Sequence, residues 1–243
     1  VYRALQLSMD REVAVKLLKE SLASDPDFCK RFESEAKLAG RLNHRNIVGV
    51  YDRGEDAQGA YIVMEYVDGG SLRDLLKARG KLEVQEAVRI AGAVAKGLDH
   101  AHRKNLVHRD IKPANILLQR EGDELVPKIA EFGLARAGSE TGVSMSGYGM
   151  GTPAYMPPEQ RRDAKSVNHT ADLYALGKTL YEMATGLPPD DVDADKLPPA
   201  LAGIVKRCVK TNPDERYFSA AELLADLECA AAEAPSDGEA VKG

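Results

Sequence analysis

The sequence predicts an α+β fold in which a small sheet-rich part precedes a larger helical part. Short apolar runs bounded by turn signals fill the first 66 positions, and apolar residues at helical spacing dominate from position 84 onward. The two kinds of segment follow one another, the order expected of an α+β chain. At 243 residues the chain is long enough for one large domain or a tightly joined pair of lobes. Its 44% hydrophobic and 29% charged content is that of an ordinary soluble globular protein. A net charge of −5 without a long basic run disfavours nucleic acid and anionic membranes as partners.

In order along the chain, residues 5–18 read as two strands around the turn Ser8-Met9-Asp10-Arg11, the second being Val13-Ala14-Val15-Lys16-Leu17-Leu18. Asp25-Pro26 is a helix start, with the carboxylate as cap and proline at the first helical position. Phe28, Phe32, Ala36 and Ala39 give that helix a buried face. Strands over 46–51 and 60–66 complete the first lobe. Asp68-Gly69-Gly70 then breaks the pattern, and Ser71 with Asp74 has capping-box spacing. A long helix over 84–104 turns Ala87, Ala91, Val94, Ala95 and Leu98 inward. Short strands alternate with loops over 106–130, and a Gly/Ser-rich stretch follows at 137–151. Helices over 171–185, 199–209 and 220–232 finish the second lobe. The expected units are 1–66, 67–233 and a tail or linker at 234–243.

Cys29, Cys208 and Cys229 are odd in number and far apart, without metal-ligand spacing, and suit a reducing compartment. No apolar stretch approaches the roughly 20 residues of a membrane span, and no signal peptide is evident. A cytoplasmic location is therefore expected. The start at Val1 points to a piece of a longer chain, whose remainder could carry a membrane anchor.

The strongest chemical signal is His108-Arg109-Asp110-Ile111-Lys112-Pro113-Ala114-Asn115, set between the apolar runs Leu106-Val107 and Ile116-Leu117-Leu118. A charged surface loop is the plain alternative, and any three of these residues could co-occur by chance. Together they supply what phosphoryl transfer needs: a carboxylate to orient a hydroxyl (Asp110), a cation (Lys112) and an oxygen ligand for Mg²⁺ (Asn115).

With these residues in place, nearly the whole chain resembles the protein kinase family, and specifically the serine/threonine kinases of its bacterial branch. The resemblance implies a two-lobed kinase fold with a small antiparallel sheet in the first lobe. It also implies ATP as substrate, Mg²⁺ (with Mn²⁺ as a substitute) as metal, and proteins bearing Ser or Thr as acceptors. Lys16, in Val13-Ala14-Val15-Lys16, resembles the family lysine that holds the α- and β-phosphates. Glu35 is its expected partner, with Glu33 the rival. Met64 resembles the gatekeeper, the backbones of Glu65 and Val67 the adenine-binding hinge, and Ala14 and Leu117 the roof and floor of the base. Gly151-Thr152-Pro153-Ala154-Tyr155-Met156-Pro157-Pro158-Glu159 resembles the end of an activation segment, with Pro157 where the family has alanine. Lys112 and Thr152 imply Ser/Thr specificity. The resemblance also pairs Glu159 with Arg216 and makes Asp172 the brace of the catalytic loop. Ser139, Thr141, Ser144 and Ser146 are candidate phosphosites facing Arg109, and self-association for autophosphorylation is a further expectation.

Two departures bear on activity. The family's Asp-Phe-Gly is Glu131-Phe132-Gly133 here. Glutamate keeps the charge but adds a methylene, roughly 1.5 Å of reach, to a site where Mg²⁺ demands near-ideal octahedral geometry. A weakened metal site is expected, with nucleotide binding surviving better than turnover, and a pseudokinase is the alternative. The second departure is that no Gly-x-Gly-x-x-Gly precedes the first strand, as expected of a chain that starts after that loop.

Overall fold

The computed structural model describes residues 1–18, 36–56, 59–132, 153–163 and 167–233. Its first part is a four-stranded antiparallel sheet, in the order β1-β2-β4-β3. The strands are β1 (Tyr2–Gln6), β2 (Arg11–Leu17), β3 (Val50–Asp56) and β4 (Gly59–Glu65). Leu18, Ala36 and Ile62 form its small apolar core, with Val50, Ala60 and Met64 packed against them.

β1 begins at Tyr2, earlier than the expected 5–18 hairpin, and the predicted strand at 46–51 is corrected to Val50–Asp56. The apolar residues that suggested a strand there do a different job. Segment 46–48 brackets Ile129, with Ile129 N–H donating to Asn46 O (2.8 Å) and Val48 N–H to Ile129 O (2.9 Å). The true strand is an edge strand with a register shift between Val50 and Asp52, and its polar residues carry no apolar alternation.

The second part is mainly helical: α1 (Leu72–Arg79), α2 (Val84–His102), α3 (Pro158–Arg162), α4 (Thr170–Thr185), α5 (Pro199–Cys208) and α6 (Ala220–Glu233). Between α2 and α3 lies the hairpin β5 (Ile116–Glu121) and β6 (Glu124–Ile129). The Ser71–Asp74 capping box is formed in both directions, which starts α1 where the sequence expects it. Ala87, Ala91, Val94, Ala95 and Leu98 of α2 are all fully buried. α2 packs against α4, α6 and β6. α4 is buried along nearly its whole length and is the axis of this lobe. α5 approaches it closely at Gly177, where an added Cβ would lie 2.3 Å from Cys208 Cβ.

The connection between the two parts is closed by backbone pairing. Gly69 N–H donates to Leu118 O (2.8 Å) and Leu118 N–H donates to Gly70 O (2.9 Å). A Cβ at Gly69 would sit 2.2 Å from Leu118 O, so only glycine permits this approach. Among the described residues, no helix is long and apolar enough to cross a membrane.

Candidate active site

The loop between α2 and β5 is held from beneath by a buried carboxylate. Asp172, on α4 and fully buried, accepts hydrogen bonds from His108 N–H (2.8 Å) and Arg109 N–H (2.7 Å), and bonds His102 Nε2 (2.8 Å). Burial alone would raise its pKa. The hydrogen bond from His102 and the backbone N–H groups outweigh that and keep the carboxyl below its ordinary range. Arg109 adopts a left-handed backbone, φ 67°, unusual for a residue with a side chain. That turn is over-determined: besides Asp172, Gln160 Nε2 donates to Arg109 O (2.8 Å).

His108 links this loop to the segment after β6. Its Nδ1 accepts from Asp110 N–H (3.2 Å), which assigns the proton to Nε2 and makes Nε2 the donor to Ala130 O (2.8 Å). Its ring meets Phe132 edge-on at 4.8 Å. Asp110 lies at the open side, with side-chain exposure of 36%. Lys112 Nζ donates to both its oxygens (3.0 and 2.8 Å), and Asn115 Nδ2 donates to its Oδ2 and to its backbone oxygen (2.8 Å each). Asp110, Lys112 and Asn115 are thus one hydrogen-bonded cluster, as the sequence suggests.

Across the cleft, Ala14 and Lys16 lie on one face of β2, since strand side chains alternate. Ala14 pairs in register with Met64 and Lys16 with Ile62. Glu65 N–H is committed to Gly49 O (2.8 Å), so of its backbone only the carbonyl can serve a base. Its side chain accepts from Gly49 N–H (3.1 Å) and pairs with the buried Lys128 (2.9 Å), tying β4 to β6. Val67 is half-buried just beyond β4, and Leu117 is brought beside this connection by a bridge with Ser71. A small cavity of about 30 Å³ is lined by Val50, Ile62, Met64, Ile129, Glu131 and Phe132, among others.

Lys16 does not have its expected partner among the described residues. Its ammonium forms an ion pair with Glu131, 115 positions on, through Oε1. Glu131 also has a left-handed backbone, φ 65°. Burial acts to raise its pKa, but the charge and hydrogen bond of the Lys16 ammonium, helped by the Lys112 charge, outweigh it and hold the carboxyl below the ordinary range. Glu35, Glu33, Thr152 and Gly133 lie outside the described residues, as do Ser139, Thr141, Ser144 and Ser146. Arg109, expected to face those phosphosites, donates Nη2 to Val167 O (3.3 Å). The ion pair of Glu159 with Arg216 is present and bidentate (2.6 and 2.8 Å), on an arginine whose side chain is fully buried.

A family model described as the protein kinase domain matches residues 1–226. The chain belongs to the protein kinase family. This kinase domain is 38% identical to the serine/threonine-protein kinase PknL of Mycobacterium tuberculosis, over 96% of its own length and 62% of that protein. It is 39% identical to the serine/threonine-protein kinase PknB of Mycobacterium leprae, over 93% of its own length and 40% of that protein. The chain therefore spans less than two thirds of these relatives. The crystal structure of the M. tuberculosis PknI kinase domain superposes with a TM-score of 0.75 at 31% identity, covering 95% of this chain and 90% of that one. The two-lobed kinase fold expected from the sequence is the fold of this chain.

The donor set suits a divalent metal of the kind that protein kinases use. Asn115 and Glu131 offer amide and carboxylate oxygens, the hard donors that Mg²⁺ takes one or two at a time alongside substrate phosphates. Sequence reasoning missed the roles of His102, His108 and Lys128. Each acts through a partner distant in the chain, and residue spacing carries no signal for such pairs.

Proposed function

We propose that this kinase domain transfers the γ-phosphoryl group of ATP to serine or threonine hydroxyls of protein substrates. The observation that carries the proposal is the cluster of Asp110 with Lys112 and Asn115, held rigid on Asp172 and open on its outer side. Asp110 orients the acceptor hydroxyl and takes its proton as the oxygen forms a bond to the γ-phosphorus. The bond from that phosphorus to the β,γ-bridging oxygen breaks, and ADP leaves with the electron pair. Lys112, two residues on, supplies positive charge where the transferring group gains negative charge. Lys16 holds the α- and β-phosphates, with Glu35 as its second partner. The backbones of Glu65 and Val67 receive adenine between Ala14 and Leu117, with Met64 behind it. Asn115 and Glu131 would hold Mg²⁺, which when bound neutralises phosphate charge. Thr152 and Lys112 set the preference for aliphatic hydroxyls. The working units are 1–66 and 67–233, followed by a tail or linker at 234–243.

A second reading rests on one contact. In the ion pair of Lys16 with Glu131, the phosphate-holding cation and the metal-holding carboxylate occupy each other. If nucleotide does not part them productively, the domain is a pseudokinase that binds and regulates without turnover.

The proposal is tested by incubating the protein with ATP and Mg²⁺, then Mn²⁺, and a generic acceptor protein, followed by analysis of the phosphorylated residues. Phosphoserine or phosphothreonine, lost in Asp110→Asn, supports it. Phosphotyrosine alone, or label that persists in Asp110→Asn, overturns it.

A further inference from the structure

Glu182 lies on the buried axial helix α4 with 7% exposure, where an unpaired carboxylate would be costly. Two groups satisfy it. Arg73 of α1 donates Nη1 to its Oε1 (2.5 Å) and Nη2 to its Oε2 (3.5 Å). The hydroxyl of Tyr155, in the 3₁₀ turn Pro153–Tyr155, donates to Oε2. The triangle closes with Arg73 Nη2 donating to the Tyr155 hydroxyl at 2.5 Å. Burial and the Glu182 carboxylate both push the Tyr155 pKa up, so the phenol stays protonated as a donor.

The location of the triangle gives it meaning. Arg73 is in the first turn of α1, where a cation opposes the helix dipole and gains nothing from it. α1 follows directly on the connection after β4 and packs against the turn Pro113–Asn115, which carries Asn115. Tyr155 lies three residues after Thr152 in the chain, in the segment assigned to the acceptor. α4 also carries Asp172, the brace of the catalytic loop. One guanidinium therefore ties together the helix after the hinge, the acceptor-side turn and the axial helix. Its planar fork presents separate nitrogens to Glu182 and Tyr155 in a fixed geometry, whereas the donors of an ammonium all radiate from one atom.

We propose that Arg73 is a positioning residue for the protein acceptor: through Tyr155 and Glu182 it fixes the 153–155 turn, and it contributes nothing to nucleotide binding. The acceptor half of this inference rests on the kinase reading above, whereas the positioning half stands without it.

The test combines kinetics with backbone amide hydrogen exchange, for Arg73→Met, Tyr155→Phe and the pair Arg73→Met with Glu182→Gln, which leaves no unpaired carboxylate. Arg79→Met, at the other end of α1 from Arg73, breaks a surface pair with Glu86 of α2 and is the control. The expected result is a KM for acceptor protein raised roughly ten- to hundredfold, the worth of a charge-assisted hydrogen bond. The KM for ATP stays within about twofold, Arg73→Lys recovers only part of the loss, and exchange accelerates over 154–162 with 199–233 unchanged. Arg79→Met changes none of these. An unchanged acceptor KM, a parallel rise in the KM for ATP, or unaltered exchange over 154–162 overturns the proposal. If the unmodified protein transfers no phosphate, the kinase reading fails, and exchange still decides the positioning role in the same two directions.

Discussion

Asp172 and Arg109 are joined by a hydrogen bond of 2.7 Å from the Arg109 backbone N–H to a fully buried carboxylate oxygen, and at that point the 108–115 loop is anchored to the axial helix. Asp172→Asn keeps the shape but replaces one acceptor oxygen with a donor facing His108 N–H, His102 or Arg109 N–H. The expected outcome is a loss of about 1–3 kcal/mol in stability, read by chemical denaturation. Turnover is expected to fall further than nucleotide affinity, because the loop carries Asp110 and the base-binding connection is built elsewhere.

Arg216 is buried and bidentate to Glu159, and it also donates to Lys210 O (2.8 Å). Arg216→Ala leaves Glu159 and several carbonyls without their donor. A cost of about 3–5 kcal/mol is expected, typical of breaking a buried pair from one side. Arg216→Lys recovers little of it, because an ammonium has three donors on one atom and cannot serve both carboxylate oxygens and the carbonyls of Lys210, Thr170 and Thr211 that the planar guanidinium reaches together. Thermal unfolding of both variants checks this.

The Glu131 carboxyl is held below its ordinary 4.5 chiefly by Lys16, against the opposing effect of burial. A depressed carboxyl pKa contributes stability that is present above the ordinary value and is lost as pH falls through the folded value. Lys16→Met removes the main opposing charge, so the Glu131 pKa should rise and this acid-sensitive contribution disappear. Carbon-detected NMR titration of the Glu131 carboxyl reads the shift directly.

His44 and His100 face each other with ring centroids 5.2 Å apart. Both have pKa values below the ordinary 6.5, by burial first, then by each other for His44 and by Lys104 for His100. A lowered histidine pKa means that the folded state binds fewer protons than the unfolded state. Stability from these rings is therefore complete above pH 6.5 and falls as pH drops from there to their folded pKa values. Denaturation midpoints measured from pH 7.5 down to 5 should decline, and His100→Gln should flatten that decline.

The parts of this molecule that could be read from its sequence are those with short-range causes. The Ser71–Asp74 capping box starts α1 as written, and the inward face of α2 follows from its apolar spacing. The hydrogen-bonded cluster of Asp110, Lys112 and Asn115 spans only six positions, so its members meet whatever the rest of the fold does. β3 was misplaced because an edge strand rich in Asp52, Arg53, Glu55 and Asp56 has no apolar alternation to display. The pairing of Lys16 with Glu131 was missed for another reason. The expected partner, Glu35, lies outside the described residues, and the sequence carries no signal for a second carboxylate reaching Lys16 from 115 positions on. The extra methylene was read as a fault in metal geometry, and it also gives the carboxylate a competing partner.

The most direct test of the account is phosphate transfer from ATP to a protein acceptor, compared among the unmodified protein, Asp110→Asn and Glu131→Asp, with Mg²⁺ and with Mn²⁺. The account predicts transfer by the unmodified protein and its loss in Asp110→Asn. In Glu131→Asp it predicts an increase of up to about a hundredfold, the scale on which a misplacement of about 1 Å acts. Silence of the unmodified protein with both metals, broken only by Glu131→Asp, would contradict it and make this domain a binding module with an intact but disabled scaffold.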